Sequence, residues 1–346
     1  MPVRNSDFAL VIGIDHYPHY RPLSGAIADA DEFENWVRDQ TSGGGVPGAQ
    51  CKKITSSAPP ARPLGPEIDD ALEEIVTKLA AQQPAPRRFY LFFSGHGLAQ
   101  IEQDRAATAF CTARWSEVRR GDALDSDCYL NYVVQSGKFE EVVLFADCCR
   151  VRKVSAKGFC PTLANINPNP TASKVRRFLA YATELMNPAF EVATGGDTTP
   201  ARGHFSRALM NALKGAAAQP GGGVRAGDLE RYLYAEVPRI AREHNHNQQP
   251  EVISSYDPAE EPVFGSATRV GAGAPAANVI ITFQTTAAGQ VRLEGPDIDE
   301  FRFHNASPQP WPLPLGIGIY ILRDMQSGRE INIRVRSQTE VQNVVF

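Results

Sequence analysis

The sequence has little net charge, no long apolar run and no cysteine framework, and each shortfall removes a class of function. Of its 346 residues, 35 are Lys or Arg and 39 are Asp or Glu, a formal net charge of −4. That balance gives no electrostatic footprint for nucleic acid or for an anionic membrane surface, so neither is an expected partner. No stretch approaches the roughly 18 apolar residues of a membrane span. The six cysteines, at 51, 111, 128, 148, 149 and 160, are scattered rather than spaced as a disulfide scaffold. Residues 1–7 run straight into an apolar stretch and leave no room for a signal peptide. Together these features predict a reduced, cytoplasmic chain. The pairs His16/His19 and His244/His246 lack the further ligands of a zinc site and read as solvated loop histidines. No metal and no other cofactor is expected.

What the chain does have is two unbroken β-prone runs that each end in reactive side chains. Residues 89–94 lead into Ser94-Gly95-His96-Gly97, and residues 141–146 lead into Asp147-Cys148-Cys149-Arg150. Apolar runs without alternation predict strands buried on both faces of a parallel sheet. In open α/β sheets the chemistry collects beyond the carboxyl ends of such strands. Adjacent strands would therefore deliver an imidazole and a thiol to one rim, and a thiol needs a neighbouring base to attack at neutral pH. Taken singly, a core histidine and a buried thiol are ordinary. Their order and their separation of about 50 positions match a known arrangement of cysteine peptidases.

The two motifs resemble the caspase-like clan of cysteine peptidases, in its metacaspase and bacterial branch. That branch places Ser-Gly-His-Gly after one strand and Asp-x-Cys after the next, which puts the base at His96 and the nucleophile at Cys149, with Cys148 in the free position. The chain departs from the branch just afterwards, reading Arg150-Val151-Arg152 in place of His-Ser-Gly. The resemblance implies an oxyanion held by the backbone N–H groups of Gly97 and Cys149. It also places Asp29 and Asp147 in a pocket that selects Arg or Lys before the scissile bond; paired carboxylates suit a guanidinium. Both acids have a plainer reading as a helix cap and a strand-end carboxylate. Calcium activates some metacaspases, but no contiguous acidic loop is present to bind it. A bacterial stress or defence setting follows from the resemblance alone.

The predicted architecture is an α/β/α caspase-like fold with a mostly parallel sheet. The peptidase domain is expected over residues 1–265, with a large part at 1–149, a basic loop at 150–177 and a small part at 178–265. Helical periodicity marks residues 66–79, 125–135 and 228–242, and residues 108–112 read as a strand. Residues 148–177 contain no acid but carry Arg150, Arg152, Lys153, Lys157, Lys174, Arg176 and Arg177. The interval reads as a mobile loop, and an enzyme cutting after basic residues would find its own processing sites there. Residues 266–277 form an Ala/Gly/Pro linker. Residues 278–346 hold strand-sized runs that predict a small antiparallel β-sandwich, suited to binding a regulatory protein. The substrate would be a protein or peptide. The rival reading is a catalytically silent scaffold acting through the β domain.

Overall fold

A computed structural model of the chain describes residues 6–56, 59–80, 86–102, 105–152, 157–163, 169–193, 201–219, 222–256, 262–266, 278–284, 289–295, 301–306, 310–313, 315, 318–336 and 341–346. It divides into two compact units, Met1–Arg269 and Val270–Phe346. The first unit begins β1 (Asp7–Gly13), α1 (Ala26–Arg38), β2 (Cys51–Thr55), α2 (Gly65–Glu73), β3 (Arg88–Ser94), β4 (Gly97–Glu102) and β5 (Arg105–Cys111). It continues β6 (Ala123–Asp125), α3 (Ser126–Gln135), β7 (Glu141–Asp147), β8 (Val151–Arg152), β9 (Arg176–Tyr181), β10 (Glu191–Ala193) and β11 (Ala201–Gly203). It closes with α4 (His204–Asn211), β12 (Val224–Arg225), α5 (Ala226–Glu243), β13 (Glu251–Ser254) and β14 (Val263–Phe264).

The central sheet has the order β13-β9-β7-β3-β1-β2. Its neighbours are parallel except where β13 runs against β9 at the edge. Strands β1, β3 and β7 are buried at every position, because helices cover both faces. Alternate residues feed separate cores. Phe8, Leu10, Phe89, Leu91, Phe93 and Leu144 pack with Leu72 of α2 and Val133 of α3. Ala9, Val11, Tyr90, Phe92 and Phe145 pack with Phe33 of α1, Leu209 of α4 and Leu233 of α5. This is the three-layer α/β/α fold that the sequence predicts.

Three expectations of the first unit need correction. A second sheet, β6-β5-β4-β8, grows from a β4/β5 hairpin of which only residues 108–112 were expected. The N-cap of α3 is Asp125, whose carboxylate accepts the Cys128 N–H at 3.0 Å. Cys128 is disulfide-bonded to Cys160, so the cysteines are not all free thiols; 32 positions separate the two, and only the packing of α3 beside the basic interval brings them together. The described parts of 150–177 are pinned rather than loose. Strand β8 pairs with β4, Phe159 exchanges backbone hydrogen bonds with Ala123 and Asp125, and Thr162 Oγ1 donates to Asp69 at 2.6 Å.

The second unit contains β15 (Val279–Thr282), β16 (Gln290–Glu294), β17 (Phe301–Asn305), β18 (Trp311–Leu313), β19 (Gly318–Asp324), β20 (Glu330–Val335) and β21 (Gln342–Val345). Sheets β18-β15-β21 and β17-β16-β19-β20 close one core, in which Val279 and Ile281 meet Leu293, Leu322 and Ile333. The expected antiparallel sandwich is corrected at one point, since β15 and β21 are parallel. Gly328, at φ +74°, turns β19 into β20 in the left-handed region that glycine occupies without strain.

Candidate active site

The register of the central sheet fixes the site. Parallel pairing of β3 with β7 sets Ser94 opposite Asp147, the last residue of each strand. His96 and Cys149 each follow two residues later, so both emerge at the same level of the same rim. Both line one cavity of about 160 Å³, together with Asp29, Asp147, Glu191 and Gly203. Cys148 also borders the cavity, but its side chain packs in the core shared with α2 and α3. Gly97 must be glycine, because a Cβ there would stand 2.5 Å from both the Cys148 sulfur and the Cys149 carbonyl oxygen.

His96 is held on three sides. Its Nε2 lies 2.7 Å from the Arg21 carbonyl oxygen. A carbonyl only accepts, so Nε2 carries the proton and Nδ1 of the neutral ring keeps the lone pair. Tyr17 packs tilted on the imidazole at 4.6 Å and Tyr20 meets it edge-on at 4.9 Å. The Tyr17 hydroxyl accepts the His96 backbone N–H at 2.9 Å and donates to the Cys111 carbonyl at 3.2 Å. Burial lowers the imidazole pKa.

Cys149 is braced by one residue. Its thiol donates to the Ala189 carbonyl at 3.2 Å and accepts the Ala189 N–H at 3.3 Å. Burial pushes the thiol up from its ordinary value. A raised thiol and a lowered imidazole both favour the neutral pair over a thiolate–imidazolium ion pair. Alkylation of Cys149 by iodoacetamide, followed by peptide mass spectrometry, is therefore expected to accelerate with pH through and beyond the usual thiol value of about 8.5. A rate already level below neutrality would mean that the ion pair exists at rest.

The carboxylates come from three separate elements. Asp29 of α1 is ion-paired with Arg202 of β11, and its Oδ2 accepts the Gly203 N–H at 3.1 Å and the Ser94 hydroxyl at 3.3 Å. Asp147 accepts the Ser206 N–H at 2.8 Å in the first turn of α4. It does so across Gly203, where a Cβ would collide with its oxygen at 2.0 Å. Asp147 is thus both a strand-end carboxylate and a lining residue of the cavity. Glu191 of β10 accepts the Ser24 and Gly25 N–H groups, each at 3.0 Å, just ahead of α1. Burial pushes the Asp29–Asp147 pair above the ordinary carboxylate range, with Asp147 adding to the shift at Asp29, Glu191 adding to it at Asp147, and Arg202 opposing it at both. Glu191 is raised as well, again by burial first.

Sequence reasoning missed Glu191, Arg202, Tyr17, Tyr20 and the Arg21 carbonyl. Glu191 and Arg202 lie in the short strands β10 and β11, where no local pattern distinguishes them. The basic interval also reads differently once folded. Arg150 is buried, ion-paired with Glu251 and stacked 4.1 Å from the Tyr181 ring. Arg176 and Arg177 belong to β9, and Arg176 pairs with Glu141 at 2.9 Å. In the folded chain Arg150 is thus buried, and Arg176 and Arg177 are partly buried within a strand of the central sheet. Arg152, Lys157 and Lys174 remain exposed, and Lys153 lies outside the described residues. His244 and His246 are not solvated loop residues either. His246 Nδ1 lies 2.9 Å from His204 Nε2, and His244 stacks on His204.

A mostly parallel sheet in three layers, with an imidazole and a thiol beyond adjoining strand ends, defines the class as an α/β domain of the caspase type. The family model for the caspase domain matches residues 6–258. The chain belongs to the caspase domain family, whose members are cysteine peptidases. No curated protein matches the sequence. Among solved structures it is similar to a Geobacter sulfurreducens protein, at 16% identity and a TM-score of 0.46, over 73% of this chain and 96% of that one. It is also similar to caspase-1 from Spodoptera frugiperda, at 13% identity and a TM-score of 0.49, over 72% and 89%.

Proposed function

We propose that the chain is a cysteine endopeptidase that uses His96 and Cys149 and cleaves after Arg or Lys. The observation that carries this reading is the shared cavity, in which a thiol and a neutral imidazole stand beside three carboxylates. His96 Nδ1 takes the Cys149 proton as the sulfur attacks the peptide carbonyl, and the backbone N–H groups of Gly97 and Cys149 receive the oxyanion. The same nitrogen then protonates the leaving amine, and water hydrolyses the thioester.

The basic preference rests on charge balance. Arg202 already engages Asp29, while no ion pair occupies Asp147 or Glu191 among the described residues. The three acids face one internal guanidinium, and a substrate Arg or Lys entering beside them would favour their ionised forms and be held by them. Wild type is expected to hydrolyse a peptidyl-Arg aminocoumarin and to ignore its Asp counterpart. Asp147→Asn keeps an acceptor for Ser206 but removes the charge, and is expected to raise KM for the Arg reporter roughly 100-fold with kcat nearly kept. An unchanged KM would remove Asp147 from the pocket. Silence toward both reporters in a folded chain would favour the non-cleaving scaffold.

A further inference from the structure

We infer that an open groove beyond Tyr20 receives the part of the substrate that follows the scissile bond, and that it takes an apolar side chain within the first two of those residues. The inference rests on the peptidase reading above. The groove encloses about 470 Å³ and is lined by His19, Tyr20, Ser116, Glu117, Val118 and Arg119.

Three observations orient it. First, Tyr20 links the two places: it meets His96, which lines the catalytic cavity, edge-on at 4.9 Å, and itself lines the groove. Its ring is set by the buried Trp115, also edge-on at 4.9 Å. Second, the chemistry gives the peptide a direction. The residue before the bond points its side chain at Asp29, Asp147 and Glu191, and the leaving amine must take its proton from His96. The departing chain therefore passes the imidazole, and what lies past the imidazole is Tyr20. An extended peptide advances about 3.3 Å per residue, so two residues span the width of that ring.

The third observation is Val118, which lines the same groove. Val118 is 91% exposed. A lone exposed valine needs no explanation on most surfaces. This one is displayed by a closed turn at the edge of a groove whose Tyr20 packs on the candidate base. The Arg119 N–H donates to both the carbonyl and the hydroxyl of Ser116, at 3.1 Å each. The Asp122 N–H donates to the Arg119 carbonyl at 3.2 Å. Glu117 and Arg119 flank the valine with opposite charges, so this turn carries no net sign and the apolar contact decides the preference.

The test separates this inference from the reading beneath it. Hydrolysis of the peptidyl-Arg aminocoumarin, which carries no amino acid after the bond, reports on the peptidase alone; if it is not cut, both proposals fall. Two internally quenched peptides, identical through Arg and bearing Leu or Asp at the second position beyond it, then report on the groove. Wild type is expected to favour the Leu peptide about tenfold in kcat/KM. Val118→Arg, with an unchanged melting temperature, is expected to abolish or invert that ratio, and Val118→Asp to widen it against the Asp peptide. Equal cleavage of the two peptides by wild type, or ratios unmoved in both variants, would overturn the groove while leaving the peptidase reading in place.

Discussion

Cys149→Ala is expected to reduce hydrolysis of the Arg reporter by roughly 10⁴-fold or more, whereas Cys148→Ala retains most of it. The asymmetry follows from where the two thiols point. Cys149 faces the cavity and is braced by Ala189, while Cys148 is packed in the core beneath Gly97. Cys149 is only half-buried, so its truncation leaves little void and the melting temperature is expected to stay within a few degrees of wild type. His96→Ala is expected to cost about as much as Cys149→Ala, and the double variant hardly more than either, because a base without its nucleophile contributes nothing. Reporter kinetics on the four proteins decide the matter. Full activity in Cys149→Ala would move the nucleophile to Cys148 or end the peptidase assignment. Multiplying losses in the double variant would mean that the two residues do not act as a unit.

The strands that carry these residues were the most legible part of the chain. Runs such as 8–12, 89–93 and 142–146 have no polar interruption, and that composition persists only where both faces of a strand are covered. The helices were legible wherever one face is apolar at a 3.6-residue period, as in α2, α3 and α5. The β4/β5 hairpin was harder to see. It opens within the Ser94–Gly97 motif and mixes Gly97, Ala99 and Gln100 among its apolar positions, so it carries neither clean alternation nor an unbroken run.

The site was legible to the extent that its residues sit at strand ends. His96, Cys149 and Asp147 follow directly from β3 and β7, and Asp29 from the resemblance at the start of α1. Glu191 and Arg202 come from short strands and Tyr20 from a connecting segment, and their roles exist only through tertiary placement. Glu191 accepts from backbone N–H groups more than 160 positions away, and Arg202 reaches Asp29 at a separation of 173. Nothing in their neighbours announces either contact. The Cys128–Cys160 bond escaped for the same reason. Arg150, by contrast, was misread because of its neighbours: a cluster of basic residues suggested solvent, and the fold instead buries this one against Glu251 and Tyr181.

Glu141→Ala is expected to destabilise the first unit by about 3–5 kcal/mol, read as a fall in its urea midpoint, because it strands a buried cation. Arg88 opens β3 at 0% exposure and donates through Nε to Glu141 at 2.6 Å. Arg176 of β9 holds the other Glu141 oxygen at 2.9 Å. The three residues are register partners on adjacent strands, Arg88 with Glu141 and Glu141 with Arg176. Strands β3 and β7 are apolar on both faces, so a slip of two residues would still bury apolar side chains; what it would break is this charged row. Such a slip would also carry Cys149 about 7 Å along the strand from His96. The paired replacement Arg88→Met with Glu141→Leu removes the stranded charge and is expected to regain most of the lost stability, leaving the half-exposed Arg176 to water. Its reporter activity is expected to stay below wild type even so, because the row that fixes the register is gone. A wild-type midpoint for Glu141→Ala would contradict the buried pair. Full turnover in the paired variant would show that side-chain packing, and not the charged row, aligns the strand ends on which the thiol and the imidazole meet.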